Sequence, residues 1–185
     1  MAQNPDADIM ERTLDTRRVF DGLILHIDHI TNELPNGRTA AREIARHVGA
    51  SAVVPVDAEG NVWLVRQFRA PVNRVLLEIP AGKLDHRDED RLLAAKRELL
   101  EETGLTAARW THLTDLLTTP GFTDERISLY LARDLSVGES HPDEDEFLNV
   151  VRMPLAELVE RIARGEVTDG KTVCAALLAD RLMRG

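Results

Sequence analysis

Hydrophobic and polar positions change period several times along the chain. The runs 19–30, rich in Leu, Ile and His, and 44–56, with alternating Ala and Val, read as strands. Residues 61–68 (NVWLVRQF) follow the turn signal Asp57-Ala58-Glu59-Gly60 and predict another strand, and 75–79 predicts a short one ending at Pro80. The composition of 80–89 (PAGKLDHRDE) predicts a loop. Residues 90–103 predict the clearest helix, because Leu92, Ala95 and Leu99 recur at helical spacing and Gly104 stops it. Strand patterns return over 110–117, 126–132 and 147–153. Pro154 then sits where a helix takes a first-turn proline and predicts a helix over 155–163. A last helix, 171–183, carries Val173, Leu177 and Leu178 on one face, and residues 1–15 read as a frayed tail. Many strands with one central and two terminal helices predict an α/β fold in which helices sandwich a mixed sheet.

Composition narrows the functions. The 185 residues hold 23 basic and 32 acidic side chains, a net charge of -9. That surplus argues against nucleic acid as a ligand, since backbone phosphates are bound by Lys and Arg. A small phosphate ligand stays open, because a bound metal reverses the local field. Cys174 is the lone cysteine, so no disulfide framework exists, and it reads as a small packed residue. No apolar run reaches the roughly 20 residues that span a bilayer. Residues 1–12 lack the basic start and apolar run of a secretory leader. A cytoplasmic protein with no membrane partner is expected. Trp63 and Trp110 read as core, and His26 and His29 as partly exposed strand residues rather than ligands. Residues 139–146 (ESHPDEDE) carry five carboxylates, a pattern usual for a solvated loop.

The sharpest local feature is Arg97-Glu98-Leu99-Leu100-Glu101-Glu102-Thr103-Gly104. Glu98 lies three residues from Glu101 and four from Glu102, so all three carboxylates share one helix face. A solvated acidic face is one explanation. It sits badly with the helix dipole, which disfavours carboxylates near a C-terminal end. A hard divalent cation would remove the repulsion, and Mg²⁺ takes carboxylate and carbonyl oxygens while bridging to substrate phosphates. Pro80-Ala81-Gly82 precedes the helix and gives a turn whose backbone carbonyl can face such an ion. Glu89 stands at the helix entrance, where first-turn placement alone would also explain it.

Residues 82–105 (GKLDHRDEDRLLAAKRELLEETGL) resemble the Nudix box. Seven residues separate Glu89 from Arg97, as in the box, and six rather than five separate Gly82 from Glu89. Further segments resemble the ADP-ribose pyrophosphatase branch of that family: Val65 to Arg69, Leu77 to Lys83, Thr119 to Glu125 with Pro120 sixteen residues past Gly104, the acidic run His141 to Glu146, and Gly165 to Val167 with Lys171-Thr172 in the terminal helices. The likeness covers about residues 17–183. It implies a Nudix fold, an α/β/α sandwich with a mixed sheet, preceded by a small N-terminal strand region. Residues 1–47 would then be the tail and a dimer-forming strand region, and 48–185 the hydrolase domain.

The resemblance also implies roles. The activity would be Mg²⁺-dependent hydrolysis of the pyrophosphate of ADP-ribose to AMP and ribose 5-phosphate, with Mn²⁺ as a possible substitute. The same chemistry on ADP-glucose or GDP-mannose is the alternative. A module that senses ADP-ribose without cleaving it is a third reading, disfavoured because Glu98, Glu101 and Glu102 are all present. Glu98 and Glu102 would be the principal metal ligands, with Glu101 a third and the Ala81 carbonyl a fourth. Arg97 would hold the glutamates in place by charge-assisted hydrogen bonds. The general base is expected in the acidic run, with Glu144 or Glu146 as candidates. Arg69, Arg66, Arg42, Glu78, Gly82 and Pro120 are the candidate substrate contacts. Arg66 and Arg69 are three apart in a strand and face opposite sides, so only one should reach the substrate, and the likeness favours Arg69. A homodimer is expected.

Overall fold

The computed structural model describes residues 5–138 and 147–185. The chain divides into two compact units, one of residues 1–47 with 119–125, the other of 48–118 with 126–185.

In the first unit, β1 (Arg12–Asp21), β2 (His26–Glu33) and β3 (Thr39–Arg46) form an antiparallel sheet in the order β1-β2-β3. β2 alternates, with Asp28, Ile30 and Asn32 buried on one side. Asp28 is matched there by Arg18 Nε at 2.5 Å and Arg46 Nε at 2.9 Å. Segment 119–125 joins this unit through the Ala45 N–H on the Phe122 carbonyl and the His47 N–H on Asp124.

The second unit holds two sheets and three helices. The larger sheet runs β7 (Ala81–Lys83), β4 (Ala50–Pro55), β9 (Arg126–Val137), β8 (Leu105–Leu117). β4 is parallel to β9 and antiparallel to β7, so the sheet is mixed. The smaller sheet is antiparallel in the order β10 (Leu148–Pro154), β5 (Asn61–Arg69), β6 (Arg74–Glu78). α1 (Arg91–Thr103) and α3 (Gly170–Arg184) cover opposite faces of β4. β4 is buried along its whole length, as a strand covered on both sides must be. Its Ala52 and Val54 join Leu64, Ile79, Leu129, Leu131 and the α3 residues Ala175 and Ala176 in the main core. Val53, one residue out of phase, joins Leu99 of α1 with Leu105 and Ala132, flanked by Trp63 and Trp110. α2 (Leu155–Ala163) adds Leu155 and Leu158 to the main core, and half-buried Cys174 packs against it. Among the described residues, no helix is long and apolar enough to cross a membrane.

Several boundaries differ from those the pattern predicts. β1 starts inside the expected tail, because Arg12 and Thr13 pair with Glu33 and Asn32 and the Arg12 guanidinium meets Glu33. The run 19–30 is two strands, folded where the Gly22 N–H meets the Leu25 carbonyl. The run 44–56 is likewise divided: Gly49 takes φ +105°, which no strand residue adopts. Within 80–89, residues Ala81–Lys83 form a strand because they pair with the buried β4. α3 buries its small face (Thr172, Ala175, Ala176, Ala179) and leaves Leu177 and Leu178 on the exposed side.

Candidate active site

α1 begins at Asp90, whose carboxylate accepts the N–H groups of Leu92 and Leu93. It ends at Gly104, which takes φ +70° and donates its N–H to the Leu100 carbonyl. Between these caps the buried face consists of Ala94, Ala95, Glu98, Leu99, Glu102 and Thr103. Two of the three box glutamates are therefore not solvated: Glu98 is 7% exposed and Glu102 2%, while the Glu101 side chain is 37% exposed. This removes the solvated-face explanation for Glu98 and Glu102.

The strand β7 explains how the burial is possible. Pairing of Ser51 with Gly82 sets that strand against the helix. A Cβ at position 82 would lie 2.0 Å from the Glu98 carboxyl carbon, so only glycine leaves room for the carboxylate. The Ala81 N–H donates to Glu102 Oε2 at 3.1 Å. Ala81 thus meets Glu102 through its N–H.

Arg97 joins the acids to one another. Its Nη1 donates to Glu98 at 2.6 Å and lies 3.5 Å from Glu101. Its Nη2 faces Glu89 at 3.4 Å, Asp85 at 3.8 Å and the Lys83 carbonyl at 3.4 Å. Burial pulls the guanidinium pKa down, and the surrounding Glu98, Asp85, Glu89 and Glu101 charges more than offset this, raising it. Glu89 also accepts the Asp85 N–H at 2.7 Å, which fixes the loop at the helix entrance.

A second charged group lies on the small sheet. Arg69 forms a two-pronged pair with fully buried Glu78, Nε to Oε1 and Nη2 to Oε2, both at 2.8 Å. Lys171, at the start of α3, donates to the same Glu78 and to Asp169 at 3.1 Å. Burial alone would raise the Glu78 pKa, but the Arg69 and Lys171 cations overcome it and hold the carboxyl below its ordinary value. The Glu78 hydrogen bonds and charge, and more weakly Asp169 and Glu102, raise the Arg69 pKa. Sequence reasoning named Arg69 and Glu78 as site candidates, noted Lys171 and Thr172 only as part of the resemblance and without a role, and did not name Asp169.

Arg66 faces the other side of the small sheet and lines a cavity of about 410 Å³ with Leu77, Val151, Met153 and Arg161. The structure therefore does not bring Arg66 to the box glutamates. Arg42 and Pro120 belong to the first unit; Arg42 pairs there with Glu11 at 2.5 Å, and Pro120 is exposed in a turn. Glu144 and Glu146 lie outside the described residues. Among the described residues, no three acidic, imidazole or thiol side chains converge closely enough to cage an ion by themselves. Mg²⁺ does not need such a cage: it takes one or two carboxylates and completes its shell with water and substrate phosphates. Two buried carboxylates in a glycine cradle, with hard oxygen donors only, suit it.

Comparison with known proteins follows the same lines. The family model described as NUDIX domain matches residues 45–175. The ADP-ribose pyrophosphatase of Bacillus subtilis (strain 168) is 42% identical over 167 residues, 89% of this chain and 90% of the relative. The methanol dehydrogenase activator of Bacillus methanolicus is 41% identical over the same length, with 89% and 90% covered. A solved structure described as an ADP compounds hydrolase superposes with a TM-score of 0.83 at 26% identity, covering 95% of each chain.

Proposed function

The chain belongs to the Nudix family, and on that premise we propose that it hydrolyses the pyrophosphate linkage of ADP-ribose to AMP and ribose 5-phosphate. The observation that carries this reading is the buried acidic pair, Glu98 against Gly82 and Glu102 against Ala81, braced by Arg97. Such a pair has no reason to be buried in a merely structural helix, since carboxylates out of water need compensating charge. The substrate is an anionic diphosphate whose oxygens repel a nucleophile. A divalent cation, Mg²⁺ or Mn²⁺, held by Glu98 and Glu102 with Glu101 and the Ala81 carbonyl, would neutralise the phosphates and acidify a water. Arg97 keeps Glu98 and Glu101 oriented, and Arg69 offers its guanidinium to the phosphate oxygens. Water oxygen bonds to one phosphorus, the bridging P–O bond breaks, and the water proton passes to a carboxylate base, for which Glu144 and Glu146 are the candidates.

The reading includes a homodimer. Every residue of β1 is exposed, including Leu14, Val19 and Phe20, and the turn after it exposes Leu23 by 96%, Ile24 by 67% and Leu25 by 55%. An apolar run of this size on a small acidic protein suits a partner surface.

The deciding experiment is product analysis with Mg²⁺ and a panel of ADP-ribose, ADP-glucose, GDP-mannose, NADH and a nucleoside triphosphate. AMP and ribose 5-phosphate formed faster than any other product is the expected result. Faster cleavage of another sugar nucleotide keeps the site chemistry and reassigns the substrate. Tight ADP-ribose binding with no product from any compound overturns hydrolysis in favour of a sensor.

A further inference from the structure

Glu78 has more cationic partners than its geometry requires. Arg69 alone engages both carboxylate oxygens, and yet Lys171 donates to Oε2 as well. The Lys171 side chain is only 10% exposed, so its ammonium is itself committed to the interior. Two adjacent residues of α3 grip two adjacent residues of the strand segment: Lys171 holds the Glu78 side chain, and the Thr172 hydroxyl accepts the Ile79 N–H at 2.9 Å. Asp169 locks both, accepting from the Thr172 N–H, the Thr172 hydroxyl and Lys171. Ile79 and Pro80 lead straight into Ala81 and Gly82, which meet Glu102 and Glu98. Arg69 carries the other end of this chain of contacts. Its Nε–Nη2 edge is docked on Glu78, its side chain is 40% exposed, and it feels the charge of Glu102.

We propose that Lys171 is a positioning residue for hydrolysis: acting through Glu78, it sets the aim and the available charge of Arg69 toward the substrate pyrophosphate. The inference rests on the reading above, in which this site cleaves a pyrophosphate and Arg69 binds its oxygens. With the ammonium present, the Glu78 charge is shared between two cations, and Arg69 keeps charge to offer an anion. With the ammonium removed, Glu78 answers to Arg69 alone, draws it in and neutralises it. The effect falls on phosphate binding, hence on KM more than on kcat.

The test is steady-state kinetics on ADP-ribose with Mg²⁺ for wild type, Lys171→Gln, Lys171→Arg, Arg69→Ala and the Lys171→Gln/Arg69→Ala double variant. Gln keeps a donor for Glu78 and removes only the charge. Lys171→Gln is expected to raise KM about tenfold with kcat within about threefold, the scale of one weakened charge-assisted hydrogen bond. Lys171→Arg is expected to restore KM to within about threefold. In the Arg69→Ala background, Lys171→Gln is expected to add less than about twofold, because its route of action is gone. An unchanged KM in Lys171→Gln, or the same loss in both backgrounds, overturns the inference while leaving Arg69 and hydrolysis intact. A wild-type KM in Arg69→Ala overturns the assignment of Arg69 itself. Absence of cleavage by the wild type overturns the underlying reading. Should Lys171→Gln fail to fold by circular dichroism, Lys171→Arg decides: a KM near wild type supports the role of the charge, and a tenfold rise refutes it.

Discussion

At position 82, an added methyl group would meet only the far end of the Glu98 side chain. Gly82→Ala is therefore expected to fold, with a melting temperature within a few degrees of wild type, and to displace the Glu98 carboxylate. Misplacement by about 1 Å costs on the order of a hundredfold in rate, so kcat should fall by at least that much. Glu102→Gln keeps an oxygen for the Ala81 N–H but loses the charge. It is expected to abolish detectable turnover, and turnover near wild type would show that the metal site is elsewhere. Glu78 contributes to acid stability. Its carboxyl sits below the ordinary value in the fold, so its contribution is complete above the unfolded value of about 4.3 and is lost as pH falls through the folded one. Thermal melts should show a flatter decline below about pH 4.5 in Glu78→Gln than in wild type. The spacing of Glu98, Glu101 and Glu102 was legible in the sequence. The helical period also sets Glu98 and Glu102 beside Ala95 and Leu99, but their burial was not legible, because it depends on the strand Ala81–Lys83, which composition reads as loop. The pairing of Lys171 was illegible for a different reason: its partner Glu78 is 93 residues away.

Among the elements, helices and strands were read by period, and the errors lie where period is silent. Nothing in the alternation over 44–56 marks the break, which depends on a backbone angle only Gly49 tolerates. The sequence marks Val173, Leu177 and Leu178 as one face of α3, but it is the small residues that pack beside β4 and β9: Ala175, Ala176 and Ala179 are fully buried. Two substitutions separate these readings. Ala176→Leu is expected to destabilise by about 1–3 kcal/mol through overpacking. Leu178→Ala, on the 38%-exposed side, should change stability by no more than about 0.5 kcal/mol. Urea denaturation of both variants checks the orientation directly.

Across the whole molecule, family membership was legible because a long, multi-position pattern survives local errors in strand boundaries. Sheet order was not, since β5 pairs with β10 and β4 with β9 across nearly half of the chain. Association is the property to measure here. One chain weighs 20.7 kDa, and light scattering is expected to give about twice that. Phe20→Asp combined with Leu23→Asp, two exposed sites on and beside β1, should return the mass to one chain. A wild-type mass of one chain would remove the dimer from the proposal.

The grip of α3 on the strand leading to the box has a temporal side. Ile79 reaches Thr172 across 93 residues, so the segment that carries Gly82 leaves the ribosome long before the helix that braces it. At about 5–20 residues per second the delay is roughly 5–20 s. For the part of that interval after Glu102 is made, the growing chain holds every box glutamate without the brace that α3 supplies.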